Sequence, residues 1–215
     1  GSDTGGSVRQ PASFCGVVGI KPTYGRVSRY GVYPLSESCD HVGPMVRNVA
    51  DAAILLQAVA GPDDRDPTTS SNAVPDYMVS LKEDVRGLKL GIPRTFFFED
   101  IQPDVHEAVD VAIGHFETLG ARVFDITIPS IEHVIASSTV IMAAEAYEIH
   151  ADRLRESSEK FGDDVKIRLL LGACIEAEQY LKAQRFRRLL LNEMMSVFAG
   201  VDAMLTPTTL LTACN

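Results

Sequence analysis

The sequence predicts an α/β protein, a mixed β-sheet covered by helices. Three observations predict it. Short apolar runs bounded by glycine and proline fill the first 47 residues; a strand–helix–strand pattern occupies 88–128; and 131–199 is helical almost throughout. The composition agrees: of 215 residues, 46% are hydrophobic and 23% charged, ordinary globular usage that excludes a disordered tail or a fibrous repeat. At roughly 150 residues per domain, the length allows one large domain. We divide it as 1–60, 61–87, 88–128, 130–199 and 201–208 of a single partial domain.

The charge balance removes some function classes. Twenty Lys and Arg against twenty-nine Asp and Glu give a net charge of −9, whereas nucleic-acid binding needs a basic surface. No apolar run reaches the roughly 20 residues that span a bilayer. Cys15, Cys39, Cys174 and Cys214 lack metal-ligand spacing, and a chain this long needs no disulfide staples. The expectation is a cytoplasmic protein without metal or cofactor. The chain starts at Gly1 without Met and stops just past a strand-like segment, so it reads as an internal piece of a longer protein.

The elements follow in order. Residues 1–47 alternate runs such as Val17-Val18-Gly19-Ile20 with turn signals at Lys21-Pro22-Thr23 and Tyr24-Gly25. Cys15 reads there as a small buried residue. Asn48 is placed to cap a helix with Asp51 in its first turn, running through Ala52, Leu56 and Val59 to a stop at Gly61. A proline-punctuated loop follows, in which Asp63, Asp64 and Asp66 read as solvated and not as metal ligands. Residues 88–92 read as a strand, and 104–119 as a helix with Val105, Ala108, Val109, Ala112, Phe116 and Leu119 on one face, which leaves His106 and His115 facing solvent. Phe124, Ile126 and Ile128 alternate as a second strand, to be paired in parallel with the first. The long helical segment breaks near 161–164, its last helix exposes Lys182, Arg185 and Arg188, and 201–205 is a final strand.

The opening, Gly1-Ser2-Asp3-Thr4-Gly5-Gly6-Ser7-Val8-Arg9-Gln10-Pro11-Ala12, has a chemistry of its own. Adjacent glycines let the backbone turn sharply and approach a ligand. Successive N–H groups in such a turn converge on negative charge. A serine hydroxyl beside converging N–H donors suits acyl transfer, in which the serine attacks a carbonyl and the donors hold the oxyanion. A tight turn with a capping serine is the plainer alternative. The Gly-Lys-[Ser/Thr] of a phosphate loop is absent.

The longer string through Phe14-Cys15-Gly16-Val17-Val18-Gly19-Ile20-Lys21-Pro22-Thr23-Tyr24-Gly25-Arg26-Val27-Ser28 resembles the amidase signature family. So do Asp40-His41-Val42-Gly43-Pro44, Gly61-Pro62-Asp63-Asp64-Arg65-Asp66-Pro67, Tyr180-Leu181-Lys182-Ala183-Gln184-Arg185 and Asp202-Ala203-Met204-Leu205-Thr206-Pro207-Thr208. The resemblance covers nearly the whole chain. It implies an enzyme that cleaves carboxamide C–N bonds through an acyl-enzyme, using a nucleophilic serine, a second serine in a cis peptide and a lysine. Ser7 matches the nucleophile. The N–H groups of Thr4, Gly5, Gly6 and Ser7 match the oxyanion hole, and Ser2, Asp3 and Arg9 match supporting positions. The second serine and the lysine lie upstream of Gly1 in the family, so this piece alone is expected to be inactive and poorly soluble.

Within the chain, Lys21 is read as supporting a turn, His41 as a structural hydrogen-bonder and His150 as lining a substrate pocket; no spacing supports a Ser–His–Asp triad. The resemblance leaves three kinds of protein open. The helical segment lacks an Arg-Tyr-Asp-Gly-type pattern and looks more like a stand-alone amidase acting on a small amide, without nucleic acid or membrane. The A subunit of a tRNA-dependent amidotransferase, which releases ammonia from glutamine, would need partner subunits. A non-catalytic binding homologue is the third.

Overall fold

A computed structural model of the chain describes residues 1–81 and 84–214, so positions 82 and 83 of the polar loop lie outside the described residues. The N-terminal region is built from very short elements: β1 (Ser2–Asp3), α1 (Arg9–Phe14), β2 (Val18–Gly19), β3 (His41–Val42) and β4 (Met45–Val46). β1 pairs antiparallel with β3, and β2 with β4. Val8 and Ala12, four apart, are buried together at the start of α1. Cys15 is exposed, against expectation, because α1 ends there and the cap residue no longer follows the buried stripe.

In α2 (Val49–Val59) the expected cap is in place: the Asn48 side chain accepts from Asp51 N at 2.8 Å. Ala52, Ala53 and Leu56 face inward. The following loop leads to α3 (Tyr77–Ser80) and is not simply solvated. Segment 24–30 lies against it and supplies donors. Asp66, 6% exposed, accepts from Arg29 N at 2.7 Å and Thr68 Oγ1 at 2.6 Å, and Asp63 accepts from Ser28 Oγ at 2.9 Å. Of the three aspartates, Asp64 is the exposed one.

β5 (Lys89–Ile92), α4 (Arg94–Phe97), α5 (Pro103–Thr118) and β6 (Arg122–Asp125) form the expected strand–helix–strand unit, and β5 and β6 pair in parallel from Lys89↔Arg122 to Ile92↔Asp125, but the second strand ends before Ile126 and Ile128 and leaves Phe124 exposed. β7 (Ala203–Met204) pairs in parallel on the other side of β5, giving the order β6-β5-β7. The parallel and antiparallel pairings thus occupy separate ladders. Central β5 buries Leu90, Gly91 and Ile92. On α5 the fully buried residue is Ile113, while Ala108 and Leu119 of the expected face are exposed. His106 and His115 face solvent, as expected.

The helical segment comprises α6 (Val134–Glu156), α7 (Asp163–Gly172) and α8 (Ala177–Phe198). The break at Gly162 falls where expected. A second break at 173–176 was not foreseen: Glu176 and Gln179 form a capping box that starts α8 afresh, with Glu176 N donating to Gln179 Oε1 at 2.9 Å. α6 packs against both neighbours, and Ala146, Leu154 and Leu169 form a small core with Tyr147 and Phe161. Lys182, Arg185 and Arg188 are exposed, as expected. Among the described residues, no helix is long and apolar enough to cross a membrane.

Candidate active site

The glycine-rich loop closes around one carboxylate. Asp3 leaves β1 with its side chain wholly buried. Its Oδ1 accepts from Gly6 N at 2.7 Å and Arg9 Nη2 at 2.9 Å; its Oδ2 accepts from Val8 N at 3.1 Å and Arg9 Nε at 3.0 Å. Burial opposes the charge on Asp3, but the two-pronged Arg9 guanidinium and the two N–H groups outweigh it and hold the carboxyl well below the usual carboxylate range. Asp3 in turn raises Arg9. Gly6 has φ +131°, a conformation that side chains with a Cβ rarely adopt, which explains a glycine where the loop folds back.

Ser7 sits exposed on the outer side of this turn. Gly6 N–H is engaged by Asp3, so it braces the loop. The N–H groups of Thr4, Gly5 and Ser7 have no acceptor among the described residues. Gly5 is where α6 comes close: a Cβ built there lies 3.3 Å from Met142 Sδ. Ser2 is exposed in β1.

Ser7 Oγ has no hydrogen-bond partner among the described residues, and neither neighbouring base candidate reaches it. Lys21 Nζ donates to Pro22 O at 3.2 Å. Burial, then the charge of Arg9, lowers Lys21 from its ordinary value, with Asp3 opposing. His41 lies opposite Asp3 in β3, its Nδ1 2.6 Å from Cys39 O, and burial pushes it down. His150 is 2% exposed; its Nε2 meets Pro34 O at 2.9 Å and its ring stacks on Tyr33 at 5.2 Å between centroids. It forms one wall of an open groove of about 760 Å³, with Tyr33, Arg153, Phe161 and Leu169. Among the described residues, no group of three or more His, Cys, Asp or Glu could hold a metal ion.

Sequence reasoning missed the second tier of the site. Thr4 Oγ1 donates to Asp40 Oδ1 at 2.6 Å. Asp40 Oδ2 accepts from Leu35 N at 2.8 Å and Ser36 N at 3.0 Å. The Ser36 hydroxyl donates to Glu145 Oε2 in α6, whose other oxygen accepts from Ser38 Oγ at 2.8 Å and from Tyr180 OH in α8 at 3.0 Å. The signal available was Tyr180, inside a family-like motif; nothing local marked Glu145.

Comparison with known proteins follows the same lines. The family model described as Amidase matches residues 1–215. The chain is 44% identical to the A subunit of the glutamyl-tRNA(Gln) amidotransferase of Geobacter metallireducens, over 96% of this chain and 48% of that protein. It superimposes on a structure described as revealing the evolutionary origins of an s-triazine catabolic enzyme, with TM-score 0.91 and 38% identity, over 100% of this chain and 46% of that one. A second structure, described simply as an amidase, gives TM-score 0.85 and 36% identity over 99% and 45%. The chain spans about half the length of the curated relatives it matches.

Proposed function

Because the chain belongs to the Amidase family, we propose that it supplies the nucleophile and oxyanion loop of an enzyme that hydrolyses carboxamide C–N bonds. Ser7 Oγ attacks the carbonyl carbon, and its proton passes to a base outside these residues; the resemblance implies a lysine acting through a second serine. The oxyanion takes hydrogen bonds from the N–H groups of Thr4, Gly5 and Ser7. The C–N bond breaks as the nitrogen takes up the proton, leaving an ester on Ser7. Water then attacks that ester, releases the acid and restores the hydroxyl. Asp3 and Arg9 keep the loop rigid, and His150 with its groove is the wall against which a substrate's non-reacting part would rest. The four free thiols suit a cytoplasmic setting.

One observation carries this reading: an exposed serine ends a loop locked by a buried carboxylate, with three N–H groups left open beside it. In the protein as the cell makes it, Ser7→Ala should lower kcat on small carboxamides by ~10³-fold or more. A Ser7→Ala protein within about tenfold of wild type would remove the proposal. The 215-residue chain alone should show no turnover, since no base among the described residues hydrogen-bonds Ser7. An amidotransferase of the kind matched above is a second reading, favoured by the 44% identity. It requires ammonia release from glutamine that appears only with partner subunits present. A folded full-length protein with no turnover in either assay would leave the non-catalytic homologue.

A further inference from the structure

We propose that Glu145 is a positioning residue for the oxyanion loop, acting through Ser36, Asp40 and Thr4. The inference rests on the amidase reading above. Glu145 lies in the middle of α6, yet both its oxygens are occupied by groups from elsewhere: Ser36 Oγ and Ser38 N at 3.0 Å on Oε2, Ser38 Oγ and Tyr180 OH on Oε1. Arg187 of α8 fixes the same segment from outside, donating to Ser38 Oγ at 2.7 Å and Ser38 O at 2.8 Å. Residues 35–40 therefore form a strap clamped to two helices.

The strap's other face holds the loop. Ser36 is wholly buried and serves both sides, its hydroxyl donating to Glu145 and its N–H to Asp40. Asp40, 6% exposed, joins the strap to Thr4 Oγ1. Thr4 is the residue from which the open N–H groups start. Met142, three positions before Glu145 and so on the same face of α6, meets the loop directly at Gly5. One helix face thus fixes the loop at two adjacent residues, at Gly5 by contact and at Thr4 through the strap. Burial works against the charge on Glu145, but its hydrogen bonds keep the carboxyl below the ordinary value, so it holds these donors as a carboxylate. Oxyanion donors act only when aimed at the developing charge, and a misplacement of about 1 Å can cost ~10²-fold.

The test uses the protein as the cell makes it, with Glu145→Gln and Ser36→Ala compared with wild type and Ser7→Ala. Melting temperature, kcat, KM and the rate at which a fluorophosphonate labels Ser7 are measured well below the melting transition. The expected result for both folded variants is a kcat and labelling rate lower by ~10- to 10²-fold, with KM within about threefold of wild type. A merely structural Glu145 would lower the melting temperature and leave kcat and labelling unchanged, which would overturn the proposal. Should Glu145→Gln fail to fold, Ser36→Ala decides alone, since it removes a single hydroxyl and leaves Glu145 its other donors. If Ser7→Ala is inactive while Ser36→Ala matches wild type, the strap proposal fails and the amidase reading stands. If Ser7→Ala retains activity, or wild type turns over no carboxamide, both fail.

Discussion

Between β1 and β4 no element is longer than the six residues of α1, whereas α6 and α8 run for 23 and 22. The two regions are held differently. The N-terminal region is ordered by buried or half-buried carboxylates that collect backbone hydrogen bonds: Asp3 and Asp40 from their own loops, Asp66 from Arg29, 37 positions away, and Glu145 from Ser38, 107 positions away. The helices are ordered by apolar contact around Ala146, Leu154 and Leu169. A carboxylate fixes direction as well as distance, because each N–H must point at it. Apolar burial fixes proximity and tolerates small slides. A loop that must aim N–H groups at a reacting atom gains from the first kind of order, and a scaffold is served by the second.

Four variants would break or sharpen this contrast. Leu154→Ala, at a position 7% exposed in the helical core and outside the groove lining, should cost about 3 kcal/mol in denaturant unfolding and leave kcat of the folded protein unchanged. Asp3→Asn should cost about 2 kcal/mol and also lower kcat, because Arg9 and the loop N–H groups lose a charged acceptor. The same variant carries a pH signature. Asp3 is held below its unfolded value of about 3.9, so its contribution is complete above that value and is lost as pH falls through the folded one. The stability gap between wild type and Asp3→Asn should therefore narrow in acid, which unfolding curves at pH 7 and below pH 4 would check. Asn48→Ala should cost about 1 kcal/mol through the lost cap of α2. Lys182→Ala, in an exposed pair with Glu178, should change stability by less than about 0.5 kcal/mol. A Leu154→Ala that lowered kcat as Asp3→Asn does would erase the distinction between the regions.

The same contrast decides how much could be read from the sequence. The cap at Asn48, the parallel pairing of β5 with β6, the break at Gly162 and the solvent-facing His106 and His115 all depend on neighbours within a few residues or on periodicity, and these were legible. The glycine-rich loop was legible as a motif, though not that Gly6 N–H would be taken up by Asp3. The solvated reading of Asp66 failed because, besides its near neighbour Thr68, a segment 37 positions away lies over it and donates from Arg29 N. Glu145 was invisible for a stronger form of the same reason, since a glutamate in an amphipathic helix looks like surface until the segment that covers it is known. Cys15 and the break at 173–176 turned on where a helix ends, which depends on caps that periodicity does not show.

The span of the Glu145 strap has a consequence for how the protein is made. Ser36 and Glu145 are 109 positions apart. At about 5 to 20 residues per second, a ribosome finishes Ser36 roughly 5 to 20 s before Glu145 exists. Through that interval Ser36 and Ser38 lack their anchor, and the loop bearing Ser7 has only contacts within the N-terminal region: the Asp3 bonds, the β1–β3 pairing and Thr4 on Asp40. The strap would thus set a temporal order in biosynthesis: the serine is translated before α6, but its surroundings are complete only once α6 and α8 have left the exit tunnel.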